Sequence, residues 1–389
     1  MTPATGLAGE PPESPALLQR VSVDPAGMIG FLVDHYAQRF IPAGGSKVKW
    51  ILGTPGSGKT HALRMLEAGA AQAGLLTVAL DAGHTPLRGI QEFTQAVLSQ
   101  LDTTEICRGL CDTVIQSMGY DTESLPPAAT LLGWLVAERG RIHERVVADI
   151  REHVDQTVSR IDADLSLKVA VSLKVAELLG VPSPDPDTLR TWILGQPLKK
   201  PLMARLGITQ ALNRQNARAI LQGWAALARA AGLGGLLITV DRLEQLVAAK
   251  SPGSSVSYTP LRREETYEML REFIDDGDQL PGLWLVLAAR PELFSEEKRG
   301  IPSYPALKDR VSTEVKSVEL NRFLDQLEWD RILDADGAIL PRAAEAWAGA
   351  TGGTPRVAPL PGAVSPMRRT VLASVGPMVP VEGGPLDGI

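Results

Sequence analysis

Apolar residues first fall into helical spacing between Val21 and Phe40, where Met28, Ile29, Phe31, Leu32, Tyr36 and Phe40 recur before the turn sequence Pro42-Ala-Gly-Gly-Ser. The short apolar block Val48-Lys-Trp-Ile-Leu52 then reads as a buried strand, and Leu63, Leu66 and Ala70 give the segment His61 to Ala73 one apolar helical face. Leu75-Leu-Thr-Val-Ala-Leu80 predicts a second strand ending at Asp81, and after Pro86 the stretch Ile90 to Leu101 predicts an amphipathic helix. Three more strands are predicted at Leu236-Leu-Ile-Thr-Val240, Leu283-Trp-Leu-Val-Leu287 and Val315-Lys-Ser-Val-Glu-Leu320. The first two of these are almost continuously hydrophobic, as strands covered on both faces are. Five strands alternating with helices predict an α/β fold, a parallel five-stranded sheet flanked by helices and joined by right-handed crossovers.

One long stretch breaks the alternation. Residues 102–232 are helix-like throughout, with interruptions at Pro126-Pro127, Pro182-Ser-Pro-Asp-Pro186 and Pro197, and read as a large helical insertion in a domain whose two parts are 17–101 and 233–350. From Arg141 to Gly180 the charged residues stand between aliphatic ones at three- and four-residue spacing, which predicts a solvated helix face. Residues 1–16 are rich in Pro, Gly and Glu, and disorder is expected there. Residues 351–389 hold seven Pro and seven Gly with little periodicity, so an irregular tail rather than a domain is expected.

The composition, 44% hydrophobic and 22% charged over 389 residues, excludes a disordered or collagen-like chain. Lys and Arg total 39 against 45 Asp and Glu, so the net charge of −6 gives no global reason to bind nucleic acid or an anionic membrane. The local clusters Arg139-Gly-Arg141 with Arg145, and Lys199-Lys200, are too small to reverse that balance. No apolar run reaches the ~18 residues of a membrane span, and the first residues lack the cationic start and apolar core of a signal peptide, so a cytoplasmic protein is expected. Cys107 and Cys111 lie one helical turn apart with no further Cys or His close by, which reads as two buried reduced thiols.

The chemistry lies between the first strand and the first helix. Gly53-Thr54-Pro55-Gly56-Ser57-Gly58-Lys59-Thr60 matches G-x-x-x-x-G-K-[ST] without deviation in a strand–loop–helix setting, which predicts a P-loop NTPase sheet. Successive backbone N–H groups must converge on phosphate oxygens there, so side chains are excluded and positive φ is needed, which Gly56 and Gly58 tolerate. The helix N-terminus adds partial positive charge, Lys59 reaches the β- and γ-phosphates, and the Thr60 hydroxyl is placed to ligate Mg²⁺. His61 completes the candidate nucleotide-binding positions, and a purine triphosphate with Mg²⁺ is the expected ligand pair.

Such a site needs a carboxylate at the end of a nearby strand, and Asp241, closing an apolar strand in the Walker B form, ranks ahead of Asp81. The residue after Asp241 is Arg242 rather than a water-positioning Glu. Glu244, three residues on, reads either as the catalytic base or as a surface helix residue. Arg290, at the end of the next strand, reads either as a sensor of the γ-phosphate or as a partner in a surface salt bridge.

Beyond the motif, the chain resembles the BrxC/BrxD-type ATP-binding proteins of bacteriophage-exclusion (BREX) defence systems. The resemblance is carried by GTPGSGKTHALRMLEAGA at 53–70, HTPLRGIQEFTQAVLSQL at 84–101, LNRQNARAILQGWAALARAAGLGGLLITVDRLEQL at 212–246, ETYEMLREFIDDGDQLPGLWLVLAARPELF at 265–294 and RGIPSYPALKDRV at 299–311. It implies an AAA+-like fold and an ATP-hydrolysing or ATP-switched component of an anti-phage apparatus. The implied partners are other proteins of the system and DNA, directly or through them; a homo-oligomer of the chain is a separate expectation. Gly352-Gly-Thr-Pro-Arg356 is similar to the family's sensor 2 phrase, which makes Arg356 a candidate γ-phosphate contact. The chain departs from the family at Arg242 and in the Pro-rich sequence that replaces a closing helical region.

Three readings follow. In the first the chain is an ATPase in which Lys59, Thr60 and Asp241 hold Mg²⁺-nucleotide, Glu244 orients water, and an arginine from this chain or a neighbour stabilises the transition state, with Arg310 read either as that arginine acting from a neighbouring subunit or as a plain surface residue. In the second it is a non-catalytic nucleotide-dependent switch or scaffold, which Arg242 favours. The third, a DNA-binding module, is opposed by the acidic balance.

Overall fold

The computed structural model describes residues 12, 14–127, 129–248, 255–312, 320–357 and 365–375. Its five strands, β1 (Lys47–Leu52), β2 (Leu75–Asp81), β3 (Gly235–Asp241), β4 (Leu283–Ala289) and β5 (Gln326–Glu328), pair in parallel in the order β2-β3-β4-β1-β5. β4, buried at every position, lies between β1 and β3. Side chains alternate across the sheet. Trp284, Val286 and Ala288 join Ile51 and Leu237 under Leu63 and Leu66 of the helix Lys59–Gln72, whereas Leu283, Leu285 and Leu287 face the other way with Val78, Ile238 and Val240.

That second face continues into the helices between β2 and β3. Phe93, Leu110, Val114, Val171 and Leu221 share one buried cluster with Val78, Ile238 and Leu285. Local chemistry starts several of these helices: Asp102, Asp164 and Asp185 accept the N–H groups of Thr104, Leu167 and Thr188 at 3.0, 3.2 and 3.1 Å. Each such cap stabilises its helix by about 1 kcal/mol. Cys107 and Cys111 are buried in this region with reduced thiols. No helix among the described residues is long and apolar enough to cross a membrane.

Three expectations are corrected. The fifth strand, expected over 315–320, is Gln326–Glu328 instead: Leu320 is in no strand, and 315–319 lie outside the described residues. Only three residues pair along the outer side of β1, too few to leave an alternating pattern. The stretch from 351 onward, expected to be irregular, holds the helix Pro366–Ser374. Pro366 sits at its start, Ser365 accepts the Met367 N–H, and Val371 buries itself against Val21 and Trp347. The chain expected to be disordered to residue 16 is already helical from Pro15, in Pro15–Val21; residues 1–11 and 13 lie outside the described residues.

Candidate nucleotide site

The 53–60 loop leaves the carboxyl end of β1 and turns into the helix Lys59–Gln72. Gly56 and Gly58 have φ of +79° and +94°, a left-handed backbone that glycine alone adopts freely. At Gly53 a Cβ would stand 2.6 Å from Ser57 Oγ and 3.2 Å from Trp329 Cβ. The loop is held from outside its own sequence. Asp330 accepts the Thr54 N–H at 2.7 Å and the Thr54 hydroxyl at 2.8 Å, the Trp329 indole donates to the Ser57 carbonyl at 3.2 Å, and the Ser365 N–H donates to the Pro55 carbonyl at 3.2 Å.

Lys59 folds back over the loop, its Nζ donating to the Gly53 and Thr54 carbonyls at 2.7 and 3.1 Å. Burial pushes its pKa down, while Glu244 and Asp241 pull it up. Leu237, Thr239 and Asp241 share the face of β3 that meets this helix. The Thr239 hydroxyl donates to Glu67, and the Thr60 hydroxyl donates to Asp241 Oδ2 at 2.6 Å. Both contacts join the helix Lys59–Gln72 to β3. Burial pushes the Asp241 carboxyl up, opposed by its hydrogen bonds from Thr60 and the Arg242 N–H.

Glu244 occupies the short 3-10 turn Leu243–Leu246 and is buried, 8% exposed, so of the two sequence readings the surface helix residue is excluded. Its Oε1 lies 3.1 Å from Arg290 Nε, and Oε2 is buried with no hydrogen-bond partner among the described residues. Burial raises its pKa, and Arg290 and Lys59 draw it down. Glu244, Asp241, Asp330 and Arg290 all act on the charge of Lys59, so the phosphate motif, the strand-end carboxylate and both later candidates converge.

Beside the loop lies a cavity of about 150 Å³, lined by 56–62 on one side and by Val21, Met65, Leu333, Trp347 and Val371 on the others. His61 borders it and is tied to the Ser22 hydroxyl at 3.0 Å; burial lowers its pKa to about 4, so it is neutral at pH 7. Arg356 is not among the lining residues. It is exposed, and its backbone N–H donates to Ser374 Oγ at 3.0 Å. The arginine that borders the cavity is Arg368, on the helix Pro366–Ser374. Arg310 ion-pairs with Asp275 at 2.9 Å and borders a groove with Lys47 and Val48, at the opposite end of β1 from the loop.

The residues that sequence reasoning missed are Trp329, Asp330 and Arg368. Trp329 and Asp330 meet the loop across about 270 positions of chain, and no local motif surrounds either.

The chain matches the family of BREX system ATP-binding proteins BrxC/D over residues 35–327. No curated relative and no solved structure matches it. The matched span contains the 53–60 loop, Asp241, Glu244 and Arg290, and covers most of the chain. The chain therefore belongs to the BrxC/D family of BREX system ATP-binding proteins.

Proposed function

We propose that the chain binds ATP with Mg²⁺ at the 53–60 loop and hydrolyses it, as the nucleotide-driven component of a BREX defence apparatus. The observation that carries this reading is the 2.6 Å contact between Thr60 and Asp241, with Lys59 beside them. A hydroxyl and a carboxylate meeting at a glycine-rich helix N-terminus are hard oxygen donors suited to Mg²⁺, whose other ligands would be phosphate oxygens and water. When bound, that cation supplies neutralisation of phosphate charge. The strand order, with β4 between β1 and β3, supports a P-loop domain of AAA+-like type.

Each residue then has a task. The N–H groups of 56–60 cradle the phosphates, and Lys59 exchanges the Gly53 and Thr54 carbonyls for phosphate oxygens. The cavity walled by Trp347 and Val371 takes the purine, and Arg368 approaches the phosphates from the neighbouring helix. Glu244 orients the attacking water, its carboxylate made more basic by burial. Arg290 stabilises the charge that develops on the γ-phosphate. Partner proteins of the system, and DNA reached through them, are the targets of the cycle.

A second reading, a switch with little turnover, is favoured by one observation: Oε1 of Glu244 is already engaged by Arg290. Equilibrium binding of a fluorescent ATP analogue tests the shared part of both readings. Saturable binding strengthened by Mg²⁺, lost in Lys59→Ala and deprived of its Mg²⁺ dependence in Asp241→Asn, is expected. Equal binding by Lys59→Ala would overturn the site.

A further inference from the structure

Two carboxylates close adjacent strands at the same level. β2 and β3 pair with Asp81 opposite Asp241, so both side chains leave the same face of the sheet. Paired carboxylates at one strand level are an oxygen donor set for a divalent cation. Arg242 stands between them. Its Nε donates to Asp81 Oδ1 at 2.8 Å, its terminal nitrogen pairs with Asp81 Oδ2, and its own backbone N–H donates to Asp241 Oδ1 at 2.7 Å. The arrangement is bidentate, the geometry in which a guanidinium holds a carboxylate most firmly.

The backbone is bent to make this possible. Arg242 has φ +56° and ψ +35°, and among the described residues Ala26 is the only other non-glycine residue with positive φ. A left-handed conformation is unfavourable for a side chain of this size and persists only where the surroundings impose it. Here it turns the guanidinium back across the strand ends onto Asp81 while the N–H faces Asp241. Asp81 is further engaged by the Gly83 N–H at 2.8 Å and by His84 Nδ1 at 3.2 Å.

We infer that Arg242 is a positioning residue that holds Asp81 out of cation chemistry, leaving Asp241 with Thr60 as the single protein carboxylate for a divalent ion. It does this by occupying both oxygens of Asp81 and cancelling its charge. The same cancellation keeps an uncompensated negative charge away from the strand ends that face the nucleotide's phosphates. Arg242, the residue that departs from the expected Walker B glutamate, thus restricts the ion to one place. This rests on the assignment of Asp241 above.

The test is Mn²⁺ binding without nucleotide, followed by electron paramagnetic resonance on the full chain. Arg242→Gly suits the left-handed backbone and removes the guanidinium, and Arg242→Gln is a second variant should the first fold poorly. Either is expected to bind Mn²⁺ at least about ten-fold more tightly than the wild type, as the guanidinium no longer neutralises Asp81 and two adjacent carboxylates can share an ion. The gain is expected to vanish when Asp81→Asn or Asp241→Asn is added. Affinity for ATP without divalent ion is expected to fall several-fold in Arg242→Gly and to recover in Asp81→Asn/Arg242→Gly. A residue that merely braced the strands would give no Mn²⁺ gain, and loss of both partners would not restore ATP affinity. Unchanged Mn²⁺ binding in Arg242→Gly and Arg242→Gln, or a gain that survives Asp81→Asn, overturns the inference. Because Mn²⁺ is read without nucleotide, that failure is distinct from failure of the ATP site, which Lys59→Ala reports.

Discussion

Acid should loosen the wall of the cavity beside the 53–60 loop through a single residue, His61. Its Nε2 lies 3.0 Å from the Ser22 hydroxyl, and burial lowers its pKa to about 4 against an ordinary value of 6.5. The unfolded chain therefore takes up the proton first. The stability contributed by the neutral ring is whole above pH 6.5 and is lost as pH falls through the window from 6.5 to about 4. A displacement of this size is worth about 3 kcal/mol in full, and about 2 kcal/mol of it is gone at pH 5. A cation here would also oppose the positive end of the helix Lys59–Gln72. Three buried carboxylates, Glu67, Asp241 and Glu244, have raised pKa values and act in the opposite sense, gaining stability as they protonate. The informative quantity is thus the difference between wild type and His61→Gln. Urea unfolding at pH 7 and pH 5 measures it, and the wild-type advantage should shrink by about 2 kcal/mol between the two. An advantage that is the same at both pH values would refute the reasoning.

Two other outcomes follow from the same geometry. Asp330→Ala removes the acceptor of two Thr54 donors. It should loosen the 53–60 loop and weaken ATP binding by about 1–2 kcal/mol, roughly ten-fold, in a competition assay. Burial pushes the thiols of Cys107 and Cys111 up to about 12, so neither should react with an aromatic disulfide reagent at pH 8, and both should react once the chain is unfolded in urea.

What the sequence disclosed, and what it hid, divides along a physical line. β3 and β4 were legible because burial on both faces leaves nearly unbroken apolar runs, and Asp241 was legible because it ends one of them. The 53–60 loop announced itself because its backbone demands glycine at fixed places. By contrast β5 has three residues and takes its place from pairing with β1. Trp329, Asp330 and the helix Pro366–Ser374 reach the loop by contacts between distant parts of the chain, which impose no local period. Arg356 stands in a suggestive phrase but is exposed and does not line the cavity, whereas Arg368, twelve positions on, borders it. From the sequence Arg242 reads as a departure that favours the switch; its grip on Asp81 depends on strand register and a left-handed backbone that residue order does not reveal.

The central claim is that Glu244 orients water for ATP held by Lys59, Thr60 and Asp241. Steady-state phosphate release from ATP with Mg²⁺, compared between wild type and Glu244→Gln alongside ATP binding, tests it most directly. The account predicts turnover that falls by about 10²–10⁴-fold in Glu244→Gln while ATP is still bound. Turnover by Glu244→Gln at the wild-type rate would contradict it.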